Sequence, residues 1–283
     1  MHSERSNLTI SPMKTVLTIA GSDPTGGAGL QADLQVFRAL GVHGAGVVTA
    51  LTVQDTHRVH QSLPAFPNVV LDQIRTLLRD ITPDAVKLGM LGTDDTVRNV
   101  LLALSPLDSA IPVVLDPVLA ASDGTPLLER RAWASIGALI EGVTLVTPNL
   151  HEAEALTGVA THDDAGCEEA ARKLIEDFGA HGVLLKGGHR DGPPHDLLAV
   201  RDSAEPPAAD GTPTATVLEW LKGERIDAGP VHGTGCALSA AIAAELAGGA
   251  ALRDAVQTGR AFVAEGIRNA YAPGGGARFL GPV

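Results

Sequence analysis

The sequence predicts an α/β protein: one domain, with a mostly parallel central sheet and helices on both of its faces. Three observations carry this. Short apolar β-type runs alternate with helical stretches along nearly the whole chain, the pattern of βαβ units. Aromatic residues are only 3% of the 283, so the core must be built from Ala, Val, Leu and Ile, as in strands buried on both faces. Hydrophobic residues reach 45% against 19% charged, which allows a large core and argues against disorder.

Residues 1–13 are polar and are read as a flexible N-terminal extension without an apolar signal-peptide region. Lys14–Ala20 (KTVLTIA) is a buried strand, Gly21–Gly29 a glycine-rich loop, Leu30–Leu40 a helix stopped by Gly41, and Gly46–Val53 a second buried strand. Gly27–Ala32 fits the dinucleotide fingerprint G-x-G-x-x-G/A, which taken alone points to an NAD-dependent oxidoreductase. Its acidic partner, Asp55, comes late, and no Walker lysine is present. Asp33 borders the apolar face of the first helix. It is either a solvated carboxylate or one aimed back over the glycine loop at a polar ligand. Gln54 follows a strand carboxyl end, where ligands bind in open α/β sheets; otherwise it is a loop amide.

His57–Phe66 reads as an edge strand or flap, Asn68–Arg79 as an amphipathic helix, and Ala85–Met90 as a strand. Thr93–Leu104 is a helix capped by Thr93 or Asp94. Pro112–Asp116 is a strand that leaves the Asp116 carboxylate at its C-terminal end, a functional position or a turn cap. A loop (Ala120–Pro126), a helix (Leu128–Ile140) and a strand (Val143–Thr147) follow. Asn149 and Glu152 then form either a capping box or an oxygen pair for Mg²⁺ or phosphate. Asp163–Phe178 is helical. Gly182–Lys186 is a strand whose terminal lysine, beside Gly187 and Gly188, suits a phosphate. Asp202–Pro213 reads as a mobile surface loop, Ala215–Asp227 as antiparallel edge strands, Ala251–Ala270 as the last helix, and Ala272–Val283 as a glycine-rich tail.

Val231–Leu246 (VHGTGCALSAAIAAEL) organises the site. Gly233-Thr234-Gly235 turns into an Ala-rich helix, so its amides open onto a helix N-terminus that suits an anion. Cys236 lies in the first turn, where a thiolate is favoured and can act as base or nucleophile; otherwise it is a small buried residue. A net charge of −12 argues against nucleic acid as a partner. No apolar run is long enough to span a membrane, and two well-separated cysteines, Cys167 and Cys236, suit a reducing cytoplasm.

Seven blocks in order resemble the hydroxymethylpyrimidine/phosphomethylpyrimidine kinases of the ribokinase-like superfamily. They are LTIAGSDPTGGAGLQADL from Leu17, VVTALTVQDT from Val47, VKLGML from Val86, VVLDPV from Val113, TPNLHEAEAL from Thr147, LLKGGH from Leu184 and HGTGCALSAA from His232. The resemblance implies a ribokinase-like fold. It implies Mg²⁺ and ATP as cofactors, and phosphorylation of 4-amino-5-hydroxymethyl-2-methylpyrimidine and then of its monophosphate, in thiamin biosynthesis. A pyridoxal or pyridoxine kinase of the same superfamily is the rival reading. By resemblance, Gly21, Ala28, Asp33, Gln54, Met90 and Val118 form the pyrimidine pocket. Gly233, Thr234 and Gly235 form the anion hole, with Cys236 as base and Lys186 on the phosphates. Asn149, Glu152 and Asp116 lie by Mg²⁺ and phosphate, with Glu152 and Asp116 toward the metal. A homodimer is also implied. The loop Leu119–Gly124 lacks the lysine common in the family, the stretch before the anion hole reads Gly229–His232 in place of the usual Asn-Thr-His, and Arg278 is the candidate substitute for a tail lysine.

Overall fold

The alternating runs assemble around one nine-stranded sheet in the order β3-β2-β1-β4-β5-β6-β7-β8-β9. The structure, a computed structural model, describes residues 13–188, 190, 192–202 and 215–283. Residues 1–12 of the expected extension, His189 and positions 203–213 of the expected surface loop lie outside the described residues. Six strands form the parallel centre: β1 (Thr15–Ser22), β2 (His43–Gln54), β4 (Ala85–Leu88), β5 (Val113–Leu115), β6 (Leu145–Val146) and β7 (Gly182–Leu185). Antiparallel strands close both edges. β3 (Val59–Pro64) pairs with β2, and β8 (Asp196–Arg201) and β9 (Thr216–Leu221) extend β7. Of the predicted Ala215–Asp227 edge region only β9 is strand.

Helices cover both faces because each brings one apolar stripe to the sheet. On one side lie α2 (Pro67–Asp80), α3 (Asp94–Leu104), α4 (Trp133–Ile140), α5 (Leu150–Thr157) and α6 (Asp164–Glu176), packing Val70, Ile74, Val97, Ile136 and Leu174 against the strands. On the other lie α1 (Gly29–Ala39), α7 (Thr234–Ala247) and α8 (Leu252–Arg268), contributing Phe37, Ile242 and Val256. α7 buries alanines at 237, 240, 241, 243, 244 and 247, and those small side chains let it lie close to the sheet. Thr93 caps α3 by accepting from the Thr96 amide, one of the two caps the sequence proposed. The predicted Leu128–Ile140 helix begins instead as a 3₁₀ turn, Arg130–Ala132. A small parallel pair, β10 (Val231–His232) with β11 (Arg278–Phe279), ties the C-terminal tail to the start of α7.

Strand order sets where a ligand can bind. The chain leaves β1 for β2 on one side, then returns to β4 on the other, so the carboxyl ends of β1 and β4 diverge into a crevice. Pairing between β1 and β2 is irregular between Ala20 and Ser22, at the crevice mouth.

Candidate active site

The crevice is a cavity of about 450 Å³. Its wall carries Gly21, Ala28, Gln54, Met90 and Val118 together with Asp116, Asn149, Glu152, Lys186 and the Gly233–Cys236 turn. These residues come from strand ends and from the first turns of the helices that follow them, and the shared parallel direction of the strands brings them to one edge. Gly21 leaves room for Met90: a Cβ there would lie 2.7 Å from Met90 Sδ and would push that side chain aside. Gly233 has φ 77° and faces the glycine loop. A Cβ on it would lie 1.8 Å from the Gly27 carbonyl oxygen, so no side chain fits.

α7 starts at Thr234, inside the predicted loop, so the amides of Thr234, Gly235 and Cys236 have no acceptor within the helix. Lys186 reaches the same point: a Cβ on Gly235 would stand 3.1 Å from its Nζ. Lys186 Nζ donates to Asp116 Oδ1 at 2.9 Å and lies 3.9 Å from Glu152 Oε2. Burial lowers the Lys186 ammonium, but Asp116 and Glu152 outweigh it and hold the group above its ordinary range. Glu152 is pushed up to about 7, chiefly by burial and further by Asp116, against the pull of Lys186. Asn149 and Glu152 form the complete capping box. The Glu152 amide donates to Asn149 Oδ1 at 2.9 Å, and the Asn149 amide to Glu152 Oε2 at 2.7 Å. Capping and lining the cavity are thus the same arrangement: the box points the Glu152 carboxylate at Lys186.

Two expectations are corrected. Asp33 does not reach the cavity. It is fully buried behind it, and its carboxylate accepts from Lys87 Nζ at 2.9 and 2.8 Å and from the Thr18 hydroxyl at 2.6 Å. A carboxylate sealed from water needs such partners, and burial still raises it against the lysine's pull. Cys236 is not a ready thiolate. Burial pushes its thiol up to about 11; the Lys87 ammonium and the Gly29 amide favour the anion, while Asp116 and Asp33 oppose it. The helix N-terminus is present, but desolvation and the two carboxylates outweigh it. Arg278, the candidate tail substitute, is exposed on β11 and is not on the cavity wall.

Sequence reasoning passed over Lys87, Asp23, Thr52 and His232, all on the cavity wall. Lys87 had a signal. A lysine in the middle of the four-residue apolar run of β4 cannot be buried without a carboxylate partner. Its ammonium is raised: burial disfavours it, but Asp33, Cys236 and Asp116 favour it more. Gln54 does line the cavity, yet its amide is already engaged, 2.9 Å from His232 Nε2 and 3.4 Å from the Thr52 hydroxyl.

A family model described as phosphomethylpyrimidine kinase matches residues 23–281. The chain belongs to the phosphomethylpyrimidine kinase family. A relative from Streptomyces coelicolor named hydroxymethylpyrimidine/phosphomethylpyrimidine kinase is 38% identical over 95% of this chain and 93% of its own length. The solved phosphomethylpyrimidine kinase of Clostridium difficile is 32% identical, with a TM-score of 0.75 over 90% of this chain and 99% of that one. The Bacillus subtilis pyridoxal kinase, solved as an ADP complex, is 30% identical, with a TM-score of 0.83 over 96% of this chain and 98% of that one. In a phosphomethylpyrimidine kinase family member, Gly27–Ala32 is not a dinucleotide fingerprint but the end of the glycine loop and the first turn of α1, with Ala28 and Gly29 on the cavity wall. Asp55 closes its own turn by accepting from the His57 and Arg58 amides.

Proposed function

We propose that this family member uses ATP to phosphorylate the hydroxymethyl group of 4-amino-5-hydroxymethyl-2-methylpyrimidine, and then the resulting monophosphate, in thiamin biosynthesis. The observation that carries this is the meeting, in one cavity, of the amides at the start of α7, Lys186 and Cys236 with an apolar wall of Gly21, Met90 and Val118. Phosphoryl transfer needs positioning and charge stabilisation more than covalent chemistry. The apolar wall holds a flat ring. The Thr234, Gly235 and Cys236 amides and the Lys186 ammonium face the charge that grows on the transferred group. Cys236 takes the hydroxyl proton through its minority thiolate: burial pushes the thiol up to about 11, with the Lys87 ammonium pulling the other way.

Mg²⁺ fits the donor set. Asp116 and Glu152 offer carboxylate oxygens beside the anion seat, the chemistry Mg²⁺ prefers. Among the described residues no group of three or more His, Cys, Asp or Glu converges on one point. Asp116 and Glu152 are the residues that would hold the ion, alongside the phosphates of the nucleotide. When bound, it supplies positive charge at the phosphates. Asn149 serves this arrangement by orienting Glu152.

We read the enzyme as a cytoplasmic homodimer. Cys167 and Cys236 are both free. An apolar face on the edge hairpin supports self-association: Leu51 and Leu63 are cross-strand partners, exposed by 56% and 46%, with Val53 on the same face. No helix among the described residues is long and apolar enough to cross a membrane.

A pyridoxal kinase is the second reading, favoured by the higher TM-score of that neighbour, 0.83 against 0.75. The test is Mg-ATP turnover with hydroxymethylpyrimidine, its monophosphate and pyridoxal supplied separately, with products identified by mass. Product from both pyrimidines, with pyridoxal slow, is expected. Product from pyridoxal alone replaces the first reading with the second.

A further inference from the structure

The wall of the cavity away from Lys186 is held by a polar chain between the glycine loop and β2. Asp23 is 3% exposed. Its carboxylate accepts from the Thr25 and Ala28 amides and the Thr25 hydroxyl, and lies 2.9 Å from His232 Nε2. Burial raises this carboxyl, but the bonds from His232 and Thr25 more than offset that and hold it below its usual range. An ionised carboxylate can only accept, so His232 Nε2 carries a proton, in the neutral ring as in the imidazolium.

The same nitrogen lies 2.9 Å from one terminal atom of the Gln54 amide. The structure places the amide nitrogen there, but a nitrogen that donates to Asp23 has no lone pair with which to receive an amide N–H, so the amide is turned over and its oxygen shares the Nε2 hydrogen with Asp23. The opposite end of the amide gives the same answer. The Thr52 hydroxyl has one hydrogen and two candidate acceptors, the Ser22 carbonyl at 3.0 Å and the second Gln54 amide atom at 3.4 Å; the shorter bond takes the hydrogen and leaves lone pairs toward Gln54. A lone pair there calls for the NH₂ group.

We infer that Asp23 and His232 are positioning residues that lock the Gln54 amide with its oxygen on His232 and its NH₂ toward Thr52 and the cavity, so that the site selects a ring nitrogen bearing a lone pair over a ring N–H. Thr52 and Gln54 both line the cavity, so the second amide hydrogen is available to a ligand. A 4-aminopyrimidine offers a lone-pair nitrogen beside its amino group; the 4-oxo analogue presents N–H at the same ring position. The ligand side of this rests on the pyrimidine reading above, while the amide orientation does not.

Two measurements test it. In the ligand-free full-length protein labelled with ¹⁵N-histidine, long-range ¹H–¹⁵N spectra read the His232 tautomer, with the signal assigned through H232N. Protonated Nε2 is expected. A ring protonated only at Nδ1 overturns the inference, whatever substrate the enzyme proves to use. Gln54→Glu keeps an acceptor for His232 but has no hydrogen for the ligand. With the thermal melt confirming a folded variant, KM for hydroxymethylpyrimidine is expected to rise about 10-fold or more with kcat changed less than about 3-fold, the signature of a lost donor. An unchanged or lower KM means the oxygen met the amino group, and sinks the inference. If the wild-type enzyme phosphorylates no pyrimidine, the functional reading fails while the tautomer still decides the amide.

Discussion

At the scale of single residues, charge is governed here by burial. Cys236 sits at a helix N-terminus, yet its thiol is pushed up to about 11 because burial, Asp116 and Asp33 prevail over Lys87. A base of that strength is a minority thiolate near neutrality, so turnover through Cys236 should increase with pH over roughly pH 7–10. Cys236→Ala should lower kcat about 100-fold or more, abolish that rise, and leave pyrimidine binding nearly intact. Pre-steady-state rates across pH, with titration calorimetry for binding, check this; full turnover in the variant removes Cys236 as the base. Glu152 carries a different consequence. Its folded value of about 7 lies above its ordinary 4.5, so the folded chain holds the proton more tightly than the unfolded one. The stability this contributes is complete below about 4.5 and is lost as pH rises through about 7. Glu152→Gln keeps an acceptor for the Asn149 amide but removes the buried charge. Its Tm should match wild type near pH 5 and exceed it by a few °C at pH 8, on the order of 1–3 kcal/mol, while turnover falls. Melts at the two pH values decide it, and equal shifts at both would refute the linkage.

At the scale of elements, the first turn of α7 separates a fold requirement from a site requirement. Gly233 must stay glycine for the backbone: its φ is 77° and a Cβ would enter the Gly27 carbonyl. Gly235 has helical geometry, and its Cβ would meet only Lys186 Nζ at 3.1 Å and Asp116 Oδ2 at 3.7 Å. The flexible lysine head can yield, but the space it yields is the proposed anion seat. Gly235→Ala should therefore leave Tm unchanged or slightly raised, since alanine is the better helix former, and cut kcat/KM by about 100-fold or more. Gly233→Ala should lose both fold stability and activity. Melting curves beside turnover separate the two, and a Gly235→Ala enzyme of normal activity would move the phosphoryl site away from α7.

At the scale of the whole molecule, the antiparallel edges differ. β9 covers its inner neighbour with Thr216 and Leu221 buried, whereas the β2–β3 hairpin turns Leu51, Val53 and Leu63 outward, and Phe66 beyond it is 82% exposed. Apolar groups grouped on an edge hairpin favour association of two copies. Sedimentation should find wild type as a dimer and Leu51→Lys as a monomer of unchanged helix content. A monomeric wild type would leave this face without the role proposed.

The period of each element, the glycine turns, the strand ends that carry Asp116 and Lys186, and the start of α7 were legible along the chain, because periodicity and turn chemistry are local. Boundaries moved by a few residues: β4 stops at Leu88, not Met90, and β5 at Leu115, not Asp116. The seven motif blocks already held most of the cavity wall. Which charges meet was set by the packing of distant segments. Asp33 turns inward because Lys87, 54 residues later, enters the same dry space. Gln54 is engaged by His232, 178 residues away. The Cys236 thiol is raised first by burial and then by the carboxylates of Asp116, just past β5, and Asp33 on α1. Desolvation and pairing depend on neighbours in space, and no spacing along the chain encodes them.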